Sequence, residues 1–413
     1  MIRDGYRFRL LLLISGVSVF STSTYLSYLY PTPTCDWFYY GFIAKYYSEH
    51  GDYPKVSWWR KDEPQFIYRS PIIPLCSLVI NPKGGPKSDY RFLIALAFGF
   101  LGSILSFLIE PRMGSVIPWI LTTTYTIHYS YFLGGKRTIC LLTYPVFGTL
   151  LAKSLVVGKI SRSEIALATC LGAITGLFYD GWLEILPLAV LFVLIPDVSP
   201  DRRKTFLIVW KAFVIGAAIT IAIPDPNISA SHGLLVYHNP GLISKLLGVV
   251  SEWRPPGNFE MAAVLWYMLI VSPVISGMLT ERRSLKLKLV GVAYTSAGLV
   301  VKRLGPPYLV VTSPLWYEKR CAVSMAISSL VIFSLALKFS VEPSKEFWEK
   351  YPDWKFMKPV VLKNLKHGRP WGEGDPPFEA WLYYEVDKVP ARVTPYDMDW
   401  RGYEPPLTSR KRE

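Results

Sequence analysis

The sequence is short of charge and of patterned cysteines. Charged residues make up only 18% of the 413 residues, against roughly 25% in soluble domains. The five cysteines form no CxxC pair and no metal-ligand spacing, which argues against a zinc site or a disulfide framework. Apolar residues reach 51% and gather in runs of near bilayer length. This clustering excludes an ordinary soluble protein and predicts an integral membrane protein.

The net charge of +14 does not indicate a nucleic-acid partner. Most of the excess lies at the ends of apolar runs and in short connecting segments, where membrane-topology signals belong. Three cysteines, Cys140, Cys170 and Cys321, fall within apolar runs and are predicted to be small buried hydrophobes. Cys35 and Cys76 share one polar loop, where a disulfide would be compatible with an extracytoplasmic location.

The apolar runs predict an all-α membrane protein with about eleven transmembrane helices. The segment 305–317 is short and broken by proline, which favours a partly re-entrant helix covered by its neighbours. The predicted spans are residues 10–30, 92–109, 115–133, 139–157, 165–179, 182–196, 206–224, 261–280, 287–301, 305–317 and 322–340.

The basic residues predict an orientation with the N-terminus in the cytoplasm of a multi-pass cell-membrane protein. Fourteen Arg and Lys lie at the predicted cytoplasmic ends, and the short outer loops carry only Lys136, Arg137, Lys245, Arg254, Lys302 and Arg303. The C-terminus is then extracytoplasmic. The predicted parts are a transmembrane domain, 1–340, with a first outer loop, 31–91, and a late outer loop, 225–260, followed by an extracytoplasmic polar tail, 341–413.

The first outer loop places Asp36 a few residues after the first span, close to the membrane surface. Aromatic and apolar residues follow it at spacings of three and four, including Tyr39, Tyr46 and Tyr47. This spacing predicts an amphipathic helix on the bilayer interface. Asp36 is suited to cap that helix, or to ligate a metal or polarise an acceptor, and the residues alone leave both roles open.

Four segments in this order resemble the C-type glycosyltransferases, most nearly the catalytic subunit of oligosaccharyltransferase. They are the acid followed by WFYYGFIAKYYSEHGDYP and later YRSPIIPL, at 36–75; YDGWLEILPLAVLF at 179–192; LLGVVSEWRPP at 246–256; and VVKRLGPPYLVVTSPLW at 300–316. The resemblance covers the first 340 residues. Two features depart from the family: the turn at 133–137 is basic rather than acidic, and the tail has no Trp-Trp-Asp-Tyr-Gly element.

The resemblance implies that Asp36 is the catalytic carboxylate and, with Glu252, a ligand of Mg²⁺ or Mn²⁺. Glu252 would also support the acceptor, and Arg303 would bind the lipid-linked phosphate. From the residues alone, Glu252 is equally suited to pair with Arg254, and Arg303 to anchor a helix at the headgroups.

Further substrate-binding candidates are Trp253 and Arg254, beside Glu252, and Asp180. Asp180 and Glu184 flank the turn between the fifth and sixth spans, where an acid at the membrane edge is often functional. The Tyr-Asp-Gly sequence also explains Asp180 as a turn residue.

The expected function is transfer of a sugar from a polyprenyl-phosphate donor to an acceptor at the outer membrane face. Membrane lipid is an expected partner, and the acceptor, a glycan or a protein, is not specified. The alternatives are a secondary transporter or lipid-handling protein, and a noncatalytic relative of the transferase. The large outer loop and the few charges within the spans argue against a transporter.

Overall fold

The computed structural model describes residues 2–29, 90–127, 135–189, 198–223 and 305–337. The loop residues 31–89, the late outer loop 225–260, the tail 341–413 and the predicted spans 261–280 and 287–301 lie outside the described residues. Predictions about their structure, including surface helices in the first outer loop and a disulfide between Cys35 and Cys76, stay predictions.

The described residues form helices and contain no strand. The α-helices are α1 (Ile2–Leu29), α2 (Tyr90–Ile109), α3 (Pro111–Gly114), α4 (Ile117–Ile127), α5 (Cys140–Val156), α6 (Arg162–Phe178), α7 (Pro200–Ile219), α8 (Gly305–Thr312) and α9 (Lys319–Ala336). Short 3₁₀ helices span Gly135–Ile139, Asp180–Ile185, Thr220–Ala222 and Ser313–Trp316.

Three segments are long and apolar enough to cross a membrane: Gly5–Leu26, Arg137–Val156 and Pro200–Ala222. Their lengths of 22, 20 and 23 residues match the roughly 20 residues that the hydrocarbon core requires. A shorter apolar stretch, Leu93–Ile109, lies in α2. The predictions of a helical fold and of a membrane protein are therefore confirmed.

The helix boundaries follow the apolar runs, with two informative differences. Helix α1 begins at Ile2, eight positions before the predicted span, because hydropathy marks the membrane-buried part of a helix and misses its charged first turns. The predicted sixth span begins as a 3₁₀ helix at Asp180–Ile185 rather than as an α-helix. The chain turns at Leu186 and Pro187 and is helical again at Leu188 and Ala189.

Glycines allow the backbones of helices α6 and α7 to pack closely against each other. Gly172 of α6 lies against the backbone carbonyl of Phe213, and Gly216 of α7 lies against the carbonyl of Thr169. A Cβ atom at either glycine would overlap that carbonyl, so the two backbones approach as small residues allow in membrane helices. The aromatic ring of Phe147 on α5 stacks on Phe213, with ring centroids 4.1 Å apart.

Helix α5 is buried along most of its length and packs against α2, α7 and α8. Pro145 has no N–H to donate to the carbonyl of Leu141, and Gly102 of α2 lies directly against that carbonyl. Further along α5, Gly148 lies against the backbone of Val311 in α8. Close backbone contacts therefore fix α5 between its neighbours.

Two polar contacts join α4 to its partners inside the bundle. The indole N–H of Trp119 donates to the carbonyl of Leu12 in α1 at 2.9 Å. Thr123 and Ser329 of α9 hydrogen bond through their hydroxyls at 2.6 Å. Such hydrogen bonds substitute for the hydrophobic driving force that is missing between helices in lipid.

Helices α5 and α6 run in opposite directions, because Lys153 near the end of α5 lies beside Glu164 at the start of α6. The described part of the bundle therefore has two distinct ends. At one, called the basic end, Lys153 at the end of α5 donates to Glu164 at 2.6 Å and lies 3.5 Å from the carbonyl of Ile109. Glu164 also completes a capping box with Ser161. Burial raises the pKa of the Glu164 carboxyl, but the hydrogen bonds from Lys153 and Ser161 outweigh it and hold that pKa below its usual value.

The cysteines follow the burial prediction in two of three cases. Cys140 and Cys321 are buried free thiols, as expected for cysteines in apolar runs. The prediction for Cys170 was wrong, because this residue lies on an exposed face of α6. An apolar run in a membrane helix has a lipid-facing side, and hydropathy alone does not distinguish it from the packed side.

Candidate functional site

A buried carboxylate held by two tyrosines lies at the opposite end of the bundle, called the Glu184 end. The Tyr144 hydroxyl donates to Glu184 Oε1 at 2.8 Å, and the Tyr179 hydroxyl donates to Oε2 at 3.2 Å. Both tyrosines are fully buried, and Glu184 is 9% exposed. An ionised carboxylate has only acceptor atoms, so two hydroxyl donors suit it.

Three different elements supply these side chains. Tyr144 lies in the second turn of α5, and Tyr179 is the C-terminal capping residue of α6, in extended conformation. The 3₁₀ helix Asp180–Ile185 then turns the chain back, which brings Glu184 within reach of Tyr179 five residues earlier. The indole N–H of Trp210 on α7 contacts the carbonyl of Ile185 at 3.5 Å and adjoins this turn.

Helix α8 adds a third tyrosine to the Glu184 end. Tyr308 is buried and lies close enough to Glu184 for the two side chains to interact electrostatically. Helix α8 also packs against α5 and against the 3₁₀ helix that carries Glu184. The segment 305–317 therefore contributes a phenol to the same polar region as α5 and α6.

Arg137 is a buried cation at this end of the bundle. It lies in the 3₁₀ helix Gly135–Ile139, immediately before α5, and is only 8% exposed. The sequence placed Arg137 in a short outer loop and did not indicate that its side chain would be buried. Its helix packs against α2 and α6, which cover the side chain. Gly135, the first residue of this 3₁₀ helix, was the available signal, since glycine is common where the chain turns tightly.

Of the site residues predicted from the sequence, the structure describes only Asp180. Asp180 begins the 3₁₀ helix directly after Tyr179, so its backbone adjoins the Tyr144–Glu184–Tyr179 cluster. The other candidates lie outside the described residues, namely Asp36, Glu252, Trp253, Arg254 and Arg303. Tyr144 and Tyr308 were not identified from the sequence, because a tyrosine within an apolar run carries no distinguishing pattern.

Within the described ranges, no three His, Cys, Asp or Glu side chains come together as a metal-binding group. The two carboxylates assigned to Mg²⁺ or Mn²⁺, Asp36 and Glu252, lie outside those ranges. No protein-family model and no curated protein sequence matches the chain.

The geometry of the Glu184 end suits recognition of a polar ligand more than covalent chemistry by Glu184 itself. Both carboxylate oxygens accept hydrogen bonds from phenols, which fixes their position. A carboxylate accepts about four hydrogen bonds in total, so hydroxyl groups of a ligand are compatible with the two from the tyrosines. Glu184 and Arg137 are thus two buried ionisable side chains at the same end of the bundle.

Proposed function

We propose that the protein is a C-type membrane glycosyltransferase that moves a sugar from a polyprenyl-phosphate donor to an acceptor at the outer face. The four ordered motifs in the first 340 residues support this function. The structural observation that supports it is the buried Glu184 carboxylate, which accepts hydrogen bonds from Tyr144 and Tyr179. Two of the proposed site residues, Asp36 and Arg303, are close in sequence to helix ends at this end of the bundle.

Covalent geometry limits where those two residues can lie. Consecutive Cα atoms are 3.8 Å apart, so the Cα of Arg303 is within about 7.6 Å of that of Gly305, where α8 begins. Helix α8 carries Tyr308, next to Glu184. Asp36 follows the end of α1 at Leu29 by seven residues, which span at most about 25 Å. Since α1 runs antiparallel to α2, its C-terminal end is at the Glu184 end.

In the proposed reaction, an acceptor hydroxyl attacks the anomeric carbon and the bond from that carbon to the phosphate oxygen breaks. Asp36 takes the hydroxyl proton, and polyprenyl phosphate leaves with its negative charge near Arg303. Asp36 and Glu252 supply the oxygen ligands that Mg²⁺ or Mn²⁺ prefers. An ion held by these two carboxylates would supply positive charge beside the leaving phosphate.

Substrate binding in this proposal involves residues from two segments. Glu184 accepts hydrogen bonds from sugar or acceptor hydroxyls, and Asp180, at the start of the same 3₁₀ helix, is the second substrate-binding candidate. Trp253 and Arg254 extend the substrate site next to Glu252. The basic end of the bundle faces the cytoplasm, as the excess of Arg and Lys at the ends of its helices favours.

The test is transfer of labelled sugar from a polyprenyl-phosphate donor by the purified protein. Asp36→Asn keeps the side-chain size and any helix cap, and is expected to reduce transfer about a hundredfold or more, as losing a positioned acid–base group does. Asp201→Asn is the matched control, because Asp201 is an exposed acid in the first turn of α7, near the basic end. It should transfer sugar at the wild-type rate.

The rival functions give different results in the same experiment. Equal transfer by the Asp36→Asn variant and the wild type would remove Asp36 from the mechanism. Absence of transfer together with movement of the lipid-linked sugar across proteoliposomes would favour the lipid-handling alternative. Donor binding with neither activity would favour a noncatalytic relative.

A further inference from the structure

Arg9 is a buried arginine without an ionic partner in the described part of the chain. It lies in the third turn of α1, and 9% of its surface is exposed. Its Nη1 atom is buried and makes no hydrogen bond. The nearest aromatic ring is that of Phe8, 5.5 Å from the guanidinium carbon. Because arginine keeps its charge in proteins, an unpaired buried guanidinium is costly and calls for an anion.

The charged groups around Arg9 are mostly cations. Arg112, on α3, is close enough to repel Arg9 electrostatically. Lys319, at the start of α9, lies 4.9 Å from the ring of Phe8. The acid beside them, Glu110, is bound to Arg112 at 2.9 Å. In sequence, Glu318 precedes Lys319 and Arg320 follows it.

Tyr317 completes the polar part of this region, between α8 and α9. The Arg112 guanidinium lies over its ring, 5.9 Å from the centroid. The Tyr317 phenol is protonated at neutral pH and keeps its O–H donor. Arg9, Arg112 and Lys319 with Tyr317 therefore present several hydrogen-bond donors to one place at the basic end.

Exposed apolar side chains adjoin this group of donors. On the last turn of α2, Leu108 is 71% exposed. Tyr6 is also exposed and contacts the ring of Phe107, with centroids 5.9 Å apart. A surface of this kind beside a cationic group matches a molecule with an anionic head and apolar chains.

We propose that Arg9, Arg112 and Lys319 bind the phosphate of an anionic phospholipid at the basic end of the bundle. The acyl chains lie on the apolar surface around Tyr6 and Leu108. Arg9 offers a planar fork of donors to phosphate oxygens, and Lys319 adds a point charge. This site is distinct from the Glu184 end and requires no sugar-transfer activity, so its test is independent of the proposed function.

The test measures lipid binding to delipidated protein in a neutral detergent by native mass spectrometry. The probes are phosphatidylglycerol, phosphatidylcholine and inorganic phosphate. Wild-type protein is expected to bind one phosphatidylglycerol with a Kd at least tenfold lower than for phosphatidylcholine. Arg9→Gln and Arg112→Gln should each weaken phosphatidylglycerol binding about tenfold, as loss of one charge-assisted contact does.

Arg7→Gln is the matched control, because Arg7 is exposed on the same helix and near the same end. It should keep the wild-type Kd within about twofold, since an exposed, screened charge contributes little. If Arg9→Gln fails to fold, lipid binding by Arg112→Gln alone tests the proposal, because Arg112 is exposed. Wild-type affinity in Arg112→Gln, or equal weakening by Arg7→Gln, would overturn the assignment.

A second measurement separates a lipid site from a purely structural arginine. Without lipid, Arg9→Met is expected to melt at or above the wild-type temperature, because it removes an unpaired buried charge. With phosphatidylglycerol, the wild-type Tm should rise and that of Arg9→Met should not. Destabilisation of Arg9→Met without lipid, or stabilisation of the wild type by inorganic phosphate to the same extent, would contradict a phospholipid site.

Discussion

The hydrogen bond from Tyr144 to Glu184 is expected to be the stronger of the two that hold the carboxylate. Its 2.8 Å length lies within the usual 2.5–3.0 Å range for O–H···O bonds, whereas the 3.2 Å bond from Tyr179 lies outside it. Hydrogen bonds to charged groups contribute about 1.5–3 kcal/mol. Tyr144→Phe should therefore lower the free energy of unfolding by about 2 kcal/mol, and Tyr179→Phe by about 1 kcal/mol.

The assay is reversible denaturation in mixed micelles, with Tyr6→Phe as the control. Tyr6 is 52% exposed, so removal of its hydroxyl should change stability by less than about 0.5 kcal/mol. In Tyr144→Phe/Glu184→Met, both partners are apolar and neither is left unpaired. The double variant should lose about 1.5–3 kcal/mol less than the sum of the two single losses. Additive losses, or a larger loss at Tyr179 than at Tyr144, would refute this account of the cluster.

Three further predictions concern packing, pH and thiol exposure. Gly172→Leu should destabilise by about 3 kcal/mol or more, because its side chain meets a backbone carbonyl, whereas Gly5→Leu, at a position with open space, should be tolerated in the same denaturation assay. The lowered pKa of Glu164 means that its stabilisation is present above about pH 4.3 and is lost as pH falls through the folded-state value, so the stability difference between wild type and Glu164→Gln should shrink below that pH and stay constant above it. In detergent, Cys170 should react with a small maleimide much faster than the two buried described cysteines, and equal rates would contradict the burial pattern.

The helical membrane fold was accessible from the sequence because apolar length and helix geometry are local properties. The run at 139–157 became α5, and the run at 165–179 became α6, each within a few residues of the predicted ends. Hydropathy did not detect the 3₁₀ helix that replaces the start of the predicted sixth span. That turn depends on how Asp180–Ile185 packs at the end of α6, which is a tertiary property.

Only part of the Glu184 cluster could be predicted from the sequence. The motif around Asp180 drew attention to the turn and to Glu184 within it. Its partner Tyr144 is forty positions away in sequence, and only the antiparallel packing of α5 and α6 brings the two together. Arg9 was identified as a topology signal, but its burial depends on α3 and α9, which approach it from distant parts of the chain. The roles of Asp36, Glu252 and Arg303 stay predictions.

The most direct test of the proposed transferase is an experimental structure of the protein with a polyprenyl-phosphate sugar bound, determined by cryo-electron microscopy. The account predicts that the phosphate lies at the Glu184 end beside Arg303, with Asp36 and Glu252 facing the anomeric carbon or a shared metal ion. A donor phosphate bound at the basic end, or Asp36 and Arg303 lying too far apart to contact one substrate, would contradict it.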